Sequence, residues 1–415
     1  MKSKLVLLFA AFLFAAGLAS GQTWVVEQID STAADGSPVE LVKAADGRLW
    51  TCYQTTSGFV RVACLGDSGW TKTDIGSAVL REVWRSSMAA GPHGELCLSC
   101  YSQDSGWFYR LVGDSWRSEP FPFMNQSRLS VVAYDTAGRL HTAFGENVSD
   151  FWAGREADSG WVAKLAVQLF VTGWVYGSDA CFTVAADGSP WYFAYVWWEM
   201  SQYAWGDEVA LMHFTGDSWE SVWGESGQNV PIPLALVPRD SGVGRVSVGH
   251  GVMFYDSEEV APVAENSVAG LAYTSDDVPL VAWVPRYSSA LPVFAFKINR
   301  WQVGNIPGPP GTGGIDIETD ADGRPVVVYS TQGSGVWCAT GTDVVGIEEV
   351  AKPEAPNSRP AATVVRGLPV GGAVFDATGR GVTRTKPGVY FVRSEPSAVS
   401  GKPSAVAVRK VVLTE

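Results

Sequence analysis

The sequence predicts an all-β fold: a seven-bladed β-propeller, with six blades as the alternative count, followed by a small β-sandwich-like C-terminal domain. Three observations carry that reading. A Gly-Asp-Ser-Trp phrase returns as GDSGW at 66–70, GDSW at 113–116 and GDSW at 216–219. Glycine-centred turns recur roughly every 40–50 residues along the body. The runs between them are short and rich in Val, Tyr, Trp and Phe, as strands are, and no capped amphipathic helix interrupts them. One such unit cannot bury its own sheet. Neighbours stacked around a closed ring bury both faces, which is the logic of a propeller.

The turns come in order as AADGRLW (44–50), GPHGELC (91–97), DTAGRLH (135–141), AADGSPW (185–191), TSDDVPL (274–280) and DADGRPV (320–326). Gly47, Gly94, Gly138 and Gly188 lie 47, 44 and 50 residues apart, and Asp277 lies 46 before Gly323. Glycine admits a positive φ there, and Asp favours the same tight turns. The interval from 188 to 277 is 89 residues, two periods, and a weaker unit, GRVSVGHGVMFYD (244–256), fills it. Six blades would result if 219–300 formed one elaborated unit. Tryptophans run in parallel: Trp24, Trp70, Trp116, Trp174, Trp219 and, after a double interval, Trp301. The GDS phrase is read as the turn before the outermost strand, and the Trp as the residue that opens that strand and packs between blades. The last unit, 313–341, supplies three strands, and QTWVVEQI (22–29) resembles the missing outer one. Pairing the two would close the ring and cover two exposed edges.

The ends of the chain read differently. Lys2 and Lys4 precede an apolar run at 5–19, and Ala19 and Gly21 occupy the −3 and −1 positions of a cleavage site. Residues 1–21 are therefore expected to be a signal peptide, followed by a propeller at 22–345, a Pro- and Ala-rich linker at 346–360 and a C-terminal β domain at 361–415. No later stretch of 18 apolar residues occurs, so no transmembrane segment is expected in the mature protein. The formal net charge is −13. Residues 351–415 hold ten Lys or Arg against four Asp or Glu, whereas the rest holds 20 against 39. So acidic a body argues against nucleic acid as a partner.

No chemical constellation stands out. Cys52 and Cys64 flank the turn TTSG and are candidates to face each other across a hairpin. Cys97 and Cys100 sit three apart in a strand, hence on opposite faces, with no second pair to complete a zinc site. The cysteines are read mainly as core fillers. His93, His141, His213 and His250 have no metalloprotease spacing, and no nucleophile elbow or phosphate loop occurs. Asp316, Asp320 and Asp322 near Gly323 are read as a turn rather than a calcium loop. No cofactor or metal is expected. The aromatic stretch 191–205 contains Trp197, Trp198, Tyr203 and Trp205, which cannot all face one core because strand neighbours point oppositely. Packing between blades is the plainer account of them. A surface for a glycan or protein ligand is the functional one. The expectation is a secreted or cell-surface binding or scaffold protein, more a binder than an enzyme. The alternative is a secreted glycosidase or lyase, whose catalytic residues would converge from different blades and leave no spacing to read.

Two resemblances add to this. Ser102, Asp104, Gly106 and Trp107 resemble part of the S-x-D-x-G-x-x-W turn of sialidase-like propellers, two residues short before the Trp. In that family the turn supports the fold and is not catalytic. The tail resembles the type A sorting domain of proteins exported by the bacterial type IX secretion system, and the related FlgD-like immunoglobulin-type tails. The resemblance rests on VFDATGRGV (374–382) with Asp376, Gly379 and Arg380, on PGVYFVR (387–393) with Gly388, Val389, Tyr390, Phe391 and Arg393, on Lys410 in the terminal RKVVLTE, and on VGIEE at 345–349. It implies outer-membrane secretion machinery as a partner, with the tail removed or attached at the surface. The segment departs from the family in its shortness and in Asn357 being followed by Ser rather than Pro.

Overall fold

Seven four-stranded antiparallel sheets follow one another along the chain, each strand pairing with the next outward. The computed structural model describes residues 22–342 apart from 77–85, 103–104, 124–129, 146–149, 170–173, 202–203, 228–229, 240–241, 265, 286–289 and 334, together with four short strands between 363 and 413. Blade I spans 40–74, blade II 86–120, blade III 130–168, blade IV 174–227, blade V 232–262, blade VI 267–305 and blade VII 311–341 plus the strand Trp24–Asp30. Within each blade the first strand is innermost. The seven first strands lie side by side all the way round, the last beside the first, so the ring is closed and has seven blades. The six-blade alternative fails because 219–300 divides among three sheets: the outer strand of blade IV, all of blade V and most of blade VI.

Closure happens where the sequence places it. Trp24–Asp30 runs antiparallel to Gly335–Gly341, with Trp24 opposite Gly341 and Gln28 opposite Trp337. A bulge then brings Asp30 opposite Val336. Asp30 is 3 % exposed. It accepts hydrogen bonds from Thr32 N at 2.9 Å, Tyr53 Oη at 3.0 Å and Arg61 Nη1 at 2.7 Å. Arg61 also pairs with Asp74 at 2.6 Å. Tyr53, Arg61 and Asp74 belong to blade I, so this network ties the closing strand to the next blade.

The recurrent turns join the first and second strands of each blade and therefore ring one end of the propeller. Gly47, Gly94, Gly138, Gly188 and Gly323 all have φ between 76° and 93°, and Asp277 takes 59° in their place. In blade V the position belongs to Gly242, at φ 82°. Several blades add a side-chain cap, fullest in blades III and VII. Asp135 accepts from Ala137 N, Arg139 N and Arg139 Nε, and Asp320 accepts from Asp322 N, Arg324 N and Arg324 Nε. The 316–324 stretch is therefore a turn closed by its own arginine, while Asp316 stands apart in the inner strand.

The tryptophan rule holds in six blades, with one correction. The outer strands carry Trp70, Trp116, Trp161, Trp219, Trp301 and, on the closing strand, Trp24. Trp174 is instead the first residue of an innermost strand, and Trp161 holds the blade III position. Trp24 meets Phe294 edge-on at 5.1 Å, Trp116 meets Trp50 edge-on at 6.1 Å and Trp161 stacks on Phe108 at 5.5 Å, each a ring of the preceding blade. Trp301 does the same with Tyr255 of blade V, and the Trp70 indole donates to Glu27 of blade VII. These rings bridge sheets, which is why the phrase repeats: a large flat side chain fills the widening gap toward the rim.

The cysteines divide as strand alternation requires. Cys97 packs in the cluster between blades II and III, and Cys100 in the cluster between blades I and II. Cys52 and Cys64 are not set opposite each other, a correction to the hairpin pairing. Cys52 stands opposite Val62 and Cys64 opposite Trp50. Burial raises the Cys97 and Cys100 thiols and pushes Cys338 up to about 12, so all three stay protonated. Among the described residues no group of His, Cys, Asp and Glu is arranged to hold a metal ion, and no helix is long and apolar enough to cross a membrane.

The chain divides into two compact units, Met1–Ile347 and Glu348–Glu415. The described strands of the second, Thr363–Val365, Ala373–Phe375, Gly388–Arg393 and Val408–Leu413, form a single sheet in which the first runs parallel to the last. Gly388, Val389, Tyr390, Phe391 and Arg393 lie on its third strand, with Phe391 opposite Lys410. Asp376, Gly379 and Arg380 lie outside the described residues, as do the leader at 1–21 and Asp104 of the sialidase-like turn.

Candidate functional site

Blade IV breaks the uniformity of the ring. Its second strand, Pro190–Ser201, has 12 residues, against six or seven in the other blades. Its first and third strands, Trp174–Val184 and Ala204–Phe214, have 11 each. The first turn of this blade, at Gly188, sits like those of its neighbours. All the extra length therefore falls at the opposite end, where at about 3.3 Å per residue five residues extend the sheet by about 16 Å.

The extension carries the aromatic stretch singled out in the sequence. Trp198 is opposite Val175 on one side and Gly206 on the other, and Trp197 is opposite Gly177 and Asp207. Trp205 pairs with Glu199, which pairs in turn with Trp174. Trp197 continues the strand positions of Phe193 and Tyr195, which pack toward blade V; Trp198 continues Tyr192 and Val196, which pack toward blade III. Tyr203 and the side chains of Trp197, Trp198 and Trp205 lie outside the described residues. At the base of the extension Tyr195 Oη donates to Asp207 at 3.3 Å, and burial raises the Tyr195 hydroxyl.

A second chemical feature faces the centre of the ring. Asp316 and Glu318 share one side of the innermost strand of blade VII. Asp316 Oδ2 accepts the Leu41 N–H of blade I at 2.7 Å, and Oδ1 accepts Ile317 N at 2.8 Å. A Cβ on Gly270 of blade VI would lie 2.4 Å from that same carboxylate, so the neighbour is glycine because nothing larger fits. Burial pushes Asp316 up to about 7; the two N–H bonds work against this and Glu318 adds to it. Burial also raises Glu318, opposed by Thr319 N and by Lys43, whose Nζ lies 2.9 Å from Thr319 Oγ1. Blades II and III repeat the device in neutral form: Ser87 Oγ accepts Val132 N at 3.2 Å. Ser87 and Asp316 both stand seven residues before their turn glycine, and Leu41 and Val132 six before theirs. These side chains cap the inner N–H groups that no sheet neighbour reaches. Sequence reading missed the pair, although the fixed offset from the turn was a signal that could have found it.

The histidines take structural places. His141 is buried with Nε2 3.3 Å from Asp135, and burial lowers its pKa against the pull of that carboxylate. His213 stacks on Trp191 at 4.2 Å, and His250 turns a hairpin at φ 52°.

No known protein family matches this sequence, and no curated protein matches it. Among solved structures it is similar to AofleA from Arthrobotrys oligospora, at 11 % identity over 78 % of this chain and 86 % of that one, with a TM-score of 0.46. It is similar to virginiamycin B lyase from Staphylococcus aureus at 10 % identity over 77 % and 99 %, TM-score 0.48. A third is the fungal lectin of Aleuria aurantia, described as a six-bladed β-propeller with a novel mode of fucose recognition, at 14 % identity over 74 % and 92 %, TM-score 0.47.

Proposed function

We propose that this protein is an exported binding module whose ligand, a glycan, docks on the projecting end of blade IV, and whose tail serves its export through the type IX outer-membrane machinery. One observation carries the binding reading: the blade whose strands outgrow the ring is the one whose added length holds Trp197, Trp198, Tyr203 and Trp205. A structural need for blade packing ends at the ring, so aromatics carried beyond it are explained by a partner. The stretch 191–205 has a single charged residue, Glu199, in an otherwise acidic body. Flat, weakly charged aromatic surface suits the apolar faces of sugar rings.

Screening the secreted chain against an immobilised glycan panel is expected to return binders. Trp197→Ala, Trp198→Ala or Trp205→Ala should each weaken the best of them about tenfold or more, the usual loss for an aromatic anchor. Retention of proteins but no glycan, or full affinity in the triple variant, would overturn the reading. For the tail, deletion of 346–415 in a host with type IX secretion should leave the propeller behind the outer membrane. Unchanged surface display would refute the sorting role.

A hydrolase or lyase is the second reading, and Asp316 beside Glu318 is the observation that favours it. Both carboxylates are already engaged by backbone N–H groups of the ring, which supports a capping role over acid–base work.

A further inference from the structure

Blade V breaks the tryptophan rule. Its outer strand, Glu258–Pro262, has glutamates, Glu258 and Glu259, where six other blades place Trp. With no indole to lean back on blade IV, the junction is filled from the second strand of blade V by Arg245. Its guanidinium lies 4.5 Å from the Trp223 ring centroid and 5.7 Å from that of Phe193, both of blade IV. Trp223 is on the outer strand of blade IV and half-buried. The third and fourth strands of blade V have only four and five residues, so little of blade V stands in front of it.

The charge at this junction has no ion pair: Asp256 acts on it only at a distance, and burial outweighs that pull and lowers the Arg245 pKa. Among the described residues no carboxylate lies within ion-pair distance of Arg245, and Nη1 is buried with no hydrogen-bond partner. The arginine beside it in the same blade shows the contrast: Arg239 reaches Asp277 at 2.8 Å and Asp256 at 3.8 Å. Asp256 is bonded to the Arg245 backbone N–H, not to its guanidinium. A half-buried guanidinium with a buried nitrogen that has no acceptor is costly unless something absent from the polypeptide supplies one. In a body with twice as many acidic as basic residues, such a cation goes unpaired only where the sequence withholds an acid.

We propose that the cleft between blades IV and V is a subsite for a carboxylate-bearing sugar, a uronate unit of an acidic glycan, held by Arg245 stacked on Trp223. A planar carboxylate matches the guanidinium fork, and stacking on the indole fixes the orientation of that fork. Exposed Glu220 and Glu225 on the same blade IV strand disfavour multiply charged phosphate or sulfate esters and leave a single negative charge as the best fit. The inference rests on the glycan reading above and names the sugar class. Phe193 and Tyr195 lie on the blade V-facing side of the strand that continues to Trp197, so the cleft and the projecting end share one side of blade IV.

The test is calorimetric titration of the secreted chain with galacturonate oligomers, galactose oligomers of equal length and a glutamate-rich peptide. Galacturonate should bind at least tenfold more tightly than the neutral chain. Arg245→Gln should erase that preference while leaving neutral-chain affinity unchanged, and Arg245→Lys should restore only part of it. Thermal melts of the unliganded protein supply an independent readout: Arg245→Met should leave Tm level or raised, since it removes an unpaired half-buried charge. A pronounced fall in Tm would mean that the arginine is packing material and would overturn the proposal. Equal affinity for charged and neutral chains would overturn the subsite and leave the glycan reading standing. Binding of the acidic peptide alone would overturn both.

Discussion

Arg61→Ala is expected to destabilise the propeller by about 3–5 kcal/mol, the loss seen when one partner of a buried ion pair is removed. The cost follows from what stays behind. Asp30 is 3 % exposed, and without Arg61 its charge keeps only the Thr32 and Tyr53 bonds. Arg61→Lys should recover little, because Arg61 bridges Asp30 through Nη1 and Asp74 through Nε and Nη2, a fork that an ammonium does not reproduce. Denaturant titration of the three proteins gives the comparison, and an Arg61→Ala loss below about 1 kcal/mol, the range of an exposed pair, would contradict the argument. The same network sets an acid limit. Burial pushes Asp30 up, but the bonds from Thr32, Arg61 and Tyr53 outweigh it and hold the carboxyl at about 2, below its ordinary 3.8. A lowered carboxyl pKa contributes stability above the unfolded value and loses it as pH falls through the folded one. The contribution, about 2 kcal/mol, should therefore be complete above pH 4 and vanish between about pH 4 and 2. Asp30→Asn, less stable at neutral pH, should show no such acid step from this site.

Gly335→Ala should unfasten the closing strand. Gly335 has φ 88°, and a Cβ there would lie 1.9 Å from the Asp30 carbonyl oxygen, at the bulge where Trp24–Asp30 ends its pairing. Backbone cannot yield as a flexible side chain does, so the strand must leave or the hairpin must distort, at about 2–4 kcal/mol. Gly69→Ala is the matched control, since Gly69 has φ 97° with nothing within 4 Å of the added carbon. It should cost only the conformational strain, about 1 kcal/mol. Amide exchange discriminates further: Gly335→Ala should expose the amides of Val25–Gln28 well before those of other blades, whereas Gly69→Ala should not. Equal losses in the two variants would mean that the ring does not depend on this latch.

The architecture was legible because each blade repeats the same local requirements. A tight turn needs a residue tolerant of positive φ, and Gly47, Gly94, Gly138, Gly188 and Gly323 mark it at near-equal intervals. A wedge-shaped gap needs a large ring, and five of the six Trp markers fall on outer strands. Trp174 misled because a Trp near the right interval looks the same whether it opens an inner or an outer strand, while Trp161 was hidden by a blade IV longer than its neighbours. Cys52 and Cys64 misled for a related reason: their places beside one turn do not state the register, and two residues of offset separate them.

The candidate site was legible in part. The aromatic run 191–205 was visible as an excess over what a core needs, but nothing local says that it lies beyond the ring. Glu318 and Arg245 carried no motif, and Asp316 carried only its seven-residue offset from Gly323, which the sequence reading took as part of the turn.

Composition and periodicity alone thus determined an all-β ring and the pairing of its two ends, and narrowed the count to seven blades or six, because those follow from turn chemistry and strand patterning that act over a few residues; the sheet topology decided for seven. Only the folded chain decided which tryptophans bridge blades, which carboxylate approaches 7 and which arginine lacks an acid. Those outcomes depend on neighbours brought together from distant blades, as when Asp316 caps Leu41 across 275 residues of chain. Interactions of that range leave little in local order, at Asp316 only an offset from the turn glycine and at the blade IV–V cleft only a broken rule.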